Sequence, residues 1–405
     1  MTPAAITGIG MVTPAGLGRA ANWASVCAPS PTARPTETLD TAPVDFASLV
    51  GPVFDPDRLL GRRVTRYYDR SALFALVAAH AALADAGLTD AVRARARVGI
   101  VIGTAFGGAH TFEDNHARLL NNGPSAVNVR FLPKGLVNMV SGILSIELGA
   151  TGPNMVVSTA CASGATAIGT ALGMLRRDEV DVAICGGTDA SVTPLNVSGF
   201  HKLRALSTGK HHTPEHASRP FDTAHDGFVM AEGAAILTLE REDDAAARNI
   251  RPYARIAGYG SSADAHHVTA PSPEGAGAKD AIRRACRDAD ITPADIGHVN
   301  AHATSTPTGD AIEAGVLTEL IPDAMVTSTK GVTGHTMGAA GAIEAAYTAL
   351  ALQHQIAPPV ANLDKPCDAA QDLNLSRHAR PGTFTAALSN SFGFGGHNAV
   401  LALTR

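Results

Sequence analysis

The sequence predicts a duplicated α/β fold. The first observation behind this is alternation: short apolar, β-branched runs of strand type are followed by longer stretches rich in Ala and Gly. The second is an echo. Arg255-Ile256-Ala257-Gly258-Tyr259-Gly260 repeats the pattern of Ala5-Ile6-Thr7-Gly8-Ile9-Gly10. Arg287-Asp288-Ala289-Asp290-Ile291-Thr292 ends a helix as Ala84-Asp85-Ala86-Gly87-Leu88-Thr89 does. The third is a strand from Gly297 that runs into a polar cluster at His302, as Met155 to Cys161 does. Two β-α-β halves with matching landmarks imply duplication. The charged run Arg241-Glu242-Asp243-Asp244, continuing to Pro252, is the connection, so the halves are residues 1–248 and 249–405.

Each element follows from local chemistry. Ala4 to Pro14 starts as a strand and ends in a turn; its Gly8-Ile9-Gly10 lacks the third Gly and acidic partner of a dinucleotide fingerprint. Trp23 to Cys27 is a short helix, and Ala28 to Ala42 is Pro/Thr-rich loop. Arg62, Arg63, Arg66 and Arg70 recur at helical spacing, the pattern of a solvated face. Leu73 to Ala86 is an Ala-rich helix stopped by Gly87. Val98 to Ile102 is a buried strand leading into Gly103-Thr104-Ala105-Phe106-Gly107-Gly108, and Val137 to Leu148 is a helix ended by Gly149. Met155 to Val157 is a strand, and Ala162 to Leu175 a helix so poor in bulk that it must be tightly packed and buried. Val180 to Cys185 and Gly233 to Glu240 are strands; Arg204 to Phe221, polar and rich in His, Thr and Pro, is a long surface loop.

Composition narrows the function classes. The net charge of −5, with both signs interspersed, excludes the concentrated basic field of a nucleic-acid binder. Five Cys without a CxxC pair argue against a disulfide framework or a zinc site and fit a reducing compartment, so a cytoplasmic protein with no metal is expected. No apolar run reaches the ~18 residues of a membrane span, and the first residues do not read as a signal peptide.

The chemistry is carried by a few turns. Cys161 sits between a strand and a helix start, where free N–H groups and the macrodipole lower a thiol pKa and create a nucleophile. The segment alone leaves a structural Cys open. His302 and His335 lie in polar, Gly- or Thr-flanked turns where a packing His would be odd; with Cys161 they point to Cys–His chemistry. His211, His212, His216 and His225 read as ordinary His. Lys330 ends a Ser/Thr strand and Glu344 sits on a small-residue helix, so the two can pair. Asp310 and Glu313 follow Pro307 at i, i+3 and can face one site. Ser389 to Asn398 is a Gly-rich turn whose N–H groups can serve an oxyanion.

Together these motifs resemble the elongating β-ketoacyl-acyl-carrier-protein synthases of the thiolase superfamily. The resemblance spans nearly the whole chain. It is most specific at Thr159-Ala160-Cys161-Ala162-Ser163-Gly164, His302-Ala303-Thr304-Ser305-Thr306, Gly334-His335 and Ser391-Phe392-Gly393-Phe394-Gly395-Gly396. It implies a thiolase-like five-layered αβαβα fold, internally duplicated, and a decarboxylative condensation on Cys161, with His302, His335 and Lys330 as partners. Implied roles extend to an oxyanion hole of the Cys161 and Phe392 N–H groups and a supporting network of Glu344, Asp310 and Glu313. Thr304 and Thr306 match positions that hold the pantetheine arm; Phe392 and Phe200 match gate positions. Arg62, Arg63, Arg66, Lys202 and Arg204 match the surface that meets an acyl carrier protein. No cofactor is implied, because the phosphopantetheine arm travels on the carrier. A homodimer, or a heterodimer with a Cys-lacking homologue, is implied as the assembly. Three departures stand out: Ala303 where Gly is common, His397 in place of a small polar residue, and Phe106 in place of a smaller aliphatic residue at the base of the acyl channel. A ring there implies a short or unusual primer. The alternatives are a non-catalytic partner subunit, which retention of Cys161 opposes, and a thiolase-like coenzyme A acyltransferase, which the lack of a second Cys in the last turn opposes.

Overall fold

The computed structural model describes residues 2–88, 96–209 and 213–405. His211 and His212 lie outside the described residues.

Ten strands form one continuous mixed sheet path. The first half supplies β1 (Ala4–Thr13), β2 (Val98–Gly103), β3 (Asn154–Val157), β4 (Val182–Asp189) and β5 (Gly233–Arg241). The second supplies β6 (Arg255–Ala263), β7 (Ile296–Asn300), β8 (Met325–Thr327), β9 (Ala386–Gly393) and β10 (His397–Thr404). The spatial order is β3-β2-β4-β5-β1 in one half and β8-β7-β9-β10-β6 in the other. These are the same order, strand for strand. The directions match too: β2 runs parallel to β3 and β4, and β7 parallel to β8 and β9, while the remaining pairs within each half are antiparallel. The halves meet where Ala4 and Ala5 of β1 pair with Ile256 and Arg255 of β6.

Helices complete five layers. α1 (Arg70–Asp85) and α3 (Met139–Leu148) cover the outer face of the first half; between them in sequence lies α2 (Ala109–Asn122). α5 (Ala276–Asp288) and α6 (Pro307–Leu320) pack over the outer face of the second. Between the two halves of the sheet lie α4 (Ser163–Arg176) and, after the short α7 (Lys330–Thr333), α8 (Ala340–His354). Every residue of α8 from Ala340 to Leu352 is buried. Their small residues are what allows this placement. A Cβ on Gly164 would stand 2.7 Å from the Ala342 N, and one on Gly341 would stand 2.8 Å from the Ala165 N. The two backbones approach closely at these glycines, which lets the two helices pack side by side in the middle layer.

Several expectations need correction. The strand after α4 runs past the expected end at Cys185 to Asp189, because Gly186 and Gly187 pair across both neighbours. The stretch from Arg204 to Phe221 is not all surface loop: Ser218, Arg219 and Phe221 are buried beneath the second half. The arginine series is not one helix. A short helix over Arg62–Thr65 ends before Arg66, a new helix starts at Arg70, and Arg70 pairs with the buried Glu232 at 2.5 Å. The register of the duplication also differs. Cys161 follows β3, whose counterpart is β8, and β8 leads to Lys330 and His335. The counterpart of β7 and His302 is β2, which leads to Phe106. Short apolar strands carry too little individuality to fix that register from sequence. Among the described residues no helix is long and apolar enough to cross a membrane.

Candidate active site

Cys161 is held by its own turn. The Ser163 hydroxyl donates to the Ala160 carbonyl at 2.6 Å and accepts the Thr159 N–H at 2.9 Å. Ala160 takes a φ of 50°, an unfavourable region for a residue with a Cβ, so the turn is fixed rather than floppy. The helix α4 begins two residues on.

The second half delivers the partners. The backbone of His335 is clamped between two strand-like neighbours, its N–H to the Val229 carbonyl at 2.8 Å and its carbonyl to the Ala231 N–H at 3.0 Å. His335 Nε2 then stands 3.0 Å from Cys161 Sγ. His302 lies beside it, rings perpendicular with centroids 5.4 Å apart. Glu313 anchors the His302 turn by accepting the N–H groups of His302 and Ala303 at 2.9 and 2.7 Å and the Asn390 amide at 3.0 Å. Asp310 does the same one turn earlier, accepting from Ser305 N and Phe221 N and approaching His225 Nδ1 at 3.1 Å. Both acids thus act on backbone, and only Glu313 reaches the cavity wall.

Lys330 and Glu344 form a buried ion pair. The Lys330 ammonium also sits 3.5 Å from His302 Nδ1. An ammonium donates there, so the other ring nitrogen, Nε2, is the one that carries the proton. Burial and then the Lys330 charge hold both imidazoles well below the usual value of 6.5, so both are neutral at pH 7. Burial pushes Glu344 up to about 7, with Lys330 pulling the other way.

The thiol departs from expectation. Burial pushes Cys161 up to about 12, and the Lys330 ammonium opposes this. Burial raises the thiol more than the Lys330 charge lowers it. The resting pair is therefore a neutral thiol beside a neutral imidazole.

A cavity of about 310 Å³ joins these groups. Cys161, His302 and His335 line it, with Phe200 and Phe392 on the wall. Thr304 and Thr306 also line it, their hydroxyls 3.0 Å apart, as does Arg204. Lys202, at the end of a short helix, is exposed and outside the lining, while Arg62, Arg63 and Arg66 border a separate shallow depression. Phe106 does not line the cavity. Its ring packs edge-on to Phe200 with centroids 6.2 Å apart, one layer back. His397 is exposed at the hairpin between β9 and β10. Sequence reasoning missed Asp264, Thr269 and Met337, which also line the cavity, and Asp189 beneath it. The first two follow β6, and Asp189 ends β4; strand ends are where such residues collect in α/β folds, and that was the available signal.

A cysteine paired with two neutral imidazoles, in a duplicated five-layer fold, defines a thiol-dependent acyl-transferring class. The comparisons specify the family. Residues 1–245 match the beta-ketoacyl synthase N-terminal domain and residues 253–364 its C-terminal domain. The chain belongs to the beta-ketoacyl synthase family. It is 40% identical over 407 residues to 3-oxoacyl-[acyl-carrier-protein] synthase 2 of Coxiella burnetii, covering 99% of this chain and 98% of that one. The structure of the ishigamide ketosynthase/chain length factor superposes with a TM-score of 0.92 at 32% identity, covering 100% and 99%. A type II polyketide synthase acyl-carrier protein in complex with its ketosynthase bound to the hexaketide gives 0.90 at 27%, again covering 100% and 99%.

Proposed function

We propose that the protein condenses a Cys161-bound acyl group with malonyl-acyl carrier protein, losing CO2, to give 3-ketoacyl-acyl carrier protein in fatty-acid or type II polyketide assembly. The 3.0 Å approach of His335 Nε2 to Cys161 Sγ, with His302 at its side, carries the reading. Cys161 attacks the thioester carbonyl of the acyl carrier protein; its proton passes to His335 and then to the departing pantetheine sulfur. Malonyl carrier protein follows. As its carboxylate carbon leaves as CO2, His302 and His335 hold the thioester oxygen of the resulting enolate. The enolate carbon bonds to the acyl carbon, and the Cys161 sulfur leaves with the electron pair of the broken C–S bond and takes a solvent proton relayed by His335, which restores the neutral thiol. The N–H groups of Cys161 and Phe392 hold the oxyanion, and Lys330, neutralised by Glu344, fixes the His302 tautomer. Glu313 and Asp310 hold the backbone. Positioned proton transfer of this kind contributes about 10²–10⁴-fold.

Thr304 and Thr306 receive the pantetheine arm, which arrives on the carrier, so the chain needs no cofactor or metal of its own. Phe200 and Phe392 gate the acyl group, and Phe106 behind Phe200 limits its length. Arg204 at the mouth, with Lys202, Arg62, Arg63 and Arg66, meets the acidic carrier surface. The protein acts in the cytosol as a dimer, with a second copy or a Cys-lacking homologue. β3 supports this: it is a sheet edge with Met155 exposed, beside the exposed Ile146 of α3. The test is intact-mass acylation with primers of varied length, followed by malonyl carrier protein. A mass shift on the Cys161 peptide and CO2 release are expected. Absence of both would leave a non-catalytic subunit, and free acid without malonate would indicate a hydrolase.

A further inference from the structure

Asp189 ends β4 and is fully buried. Among the described residues it has no ion-pair partner; four donors converge on it instead. Thr104 Oγ1 and Phe106 N donate to Oδ1 at 2.9 and 3.1 Å. Ala105 N and Gly338 N donate to Oδ2 at 2.9 and 2.7 Å. The donors come from two loops distant in sequence. One follows β2 and carries Phe106, whose ring backs Phe200 of the cavity wall. The other follows His335 through Met337, which lines the cavity with a φ of 51°. Two carboxylate oxygens can serve four donors at once. An amide in the same place would turn an NH2 against N–H groups and leave them unpaired in a buried site.

We propose that Asp189 is a positioning residue that pins the Phe106 loop and the turn after His335 to one point, so that primer length and imidazole geometry are set together. This rests on the condensing-enzyme reading. Asp189 also acts on Cys161 through its charge. It raises the thiol pKa, as Glu344 does, against the lowering by Lys330, while His302 and His335 face the sulfur uncharged.

Two variants test this. In Asp189→Asn, primer-free decarboxylation of malonyl carrier protein should fall at least tenfold. The pH midpoint of Cys161 alkylation by iodoacetamide should move down, because a nearby negative charge is gone. A residue that only stabilised the fold would leave that midpoint in place. Thr104→Val removes one donor on the Phe106 side. It should change the ratio of short- to long-primer acylation at least threefold, with decarboxylation within twofold of the parent. An Asp189→Asn protein that melts like the parent, decarboxylates within twofold and keeps its alkylation midpoint overturns the proposal. Where that variant does not fold, an unchanged primer ratio in Thr104→Val overturns it. If the parent itself does not decarboxylate malonyl carrier protein, the condensing reading fails, and the alkylation midpoint still reports on Asp189.

Discussion

The two halves share their strand order and differ in what joins the third strand to the central helix. In the first half residues 158–162 join β3 to α4, a tight turn that places one sulfur. In the second half residues 328–339 join β8 to α8, with α7 inside them, and place Lys330 and His335. The loops after the second strands differ likewise: β2 leads to an aromatic ring, Phe106, and β7 to an imidazole, His302. The strand ends are equivalent in the two halves, and the longer second set carries the buried Lys330–Glu344 ion pair and both imidazoles. In the proposed mechanism the nucleophile comes from one half and its electrostatic surroundings from the other.

That contrast can be broken experimentally. Cys161→Ala should abolish acylation and condensation, on the order of 10⁶-fold for loss of a nucleophile. Decarboxylation of malonyl carrier protein, which draws on the second half, should persist, as CO2 release will show. His302→Ala should do the reverse: about 10²–10⁴-fold slower decarboxylation, with Cys161 acylation by intact mass within about tenfold of the parent. Lys330→Met should strand Glu344 as a buried unpaired acid and lower stability by about 3–5 kcal/mol in denaturant unfolding. Lys330→Met with Glu344→Leu should recover most of that loss and still fail to decarboxylate. The smallest effect concerns His298, buried against Phe384 and pushed by burial down to about 3. Its folded pKa lies below its unfolded value, so its contribution is full above about pH 6.5 and is lost as pH falls toward 3. The stability gap between His298→Gln and the parent should therefore shrink by about 2 kcal/mol from pH 8 to pH 5.

The elements of the fold were legible because each strand is a compact apolar run and each central helix is conspicuously small-sided. Cys161, His302 and His335 were legible for a different reason: they stand among Gly, Thr and Ser, where packing does not explain them. The pairing of Lys330 with Glu344 needed only their polarity on otherwise apolar elements. What sequence hid depends on the other half of the chain. The thiol state follows from burial against the second half and from the charges of Lys330, Asp189 and Glu344. The anchoring by Asp189 follows from Gly338, a residue 149 positions away. The position of Phe106 follows from Phe200, which stands in front of it. None of these has a local signature.

The mutual contact of Gly164 and Gly341 with the facing main chains gives the molecule a fixed internal gauge. The helix behind the sulfur and the helix behind the imidazole rest on each other atom to atom, with no flexible side chain between them to absorb a change. A single methyl group there would widen the reacting gap directly. Room to reshape the chamber lies instead on its aromatic side, at Phe200 and Phe392 with Phe106 behind, since the two glycine contacts leave no space for a methyl group.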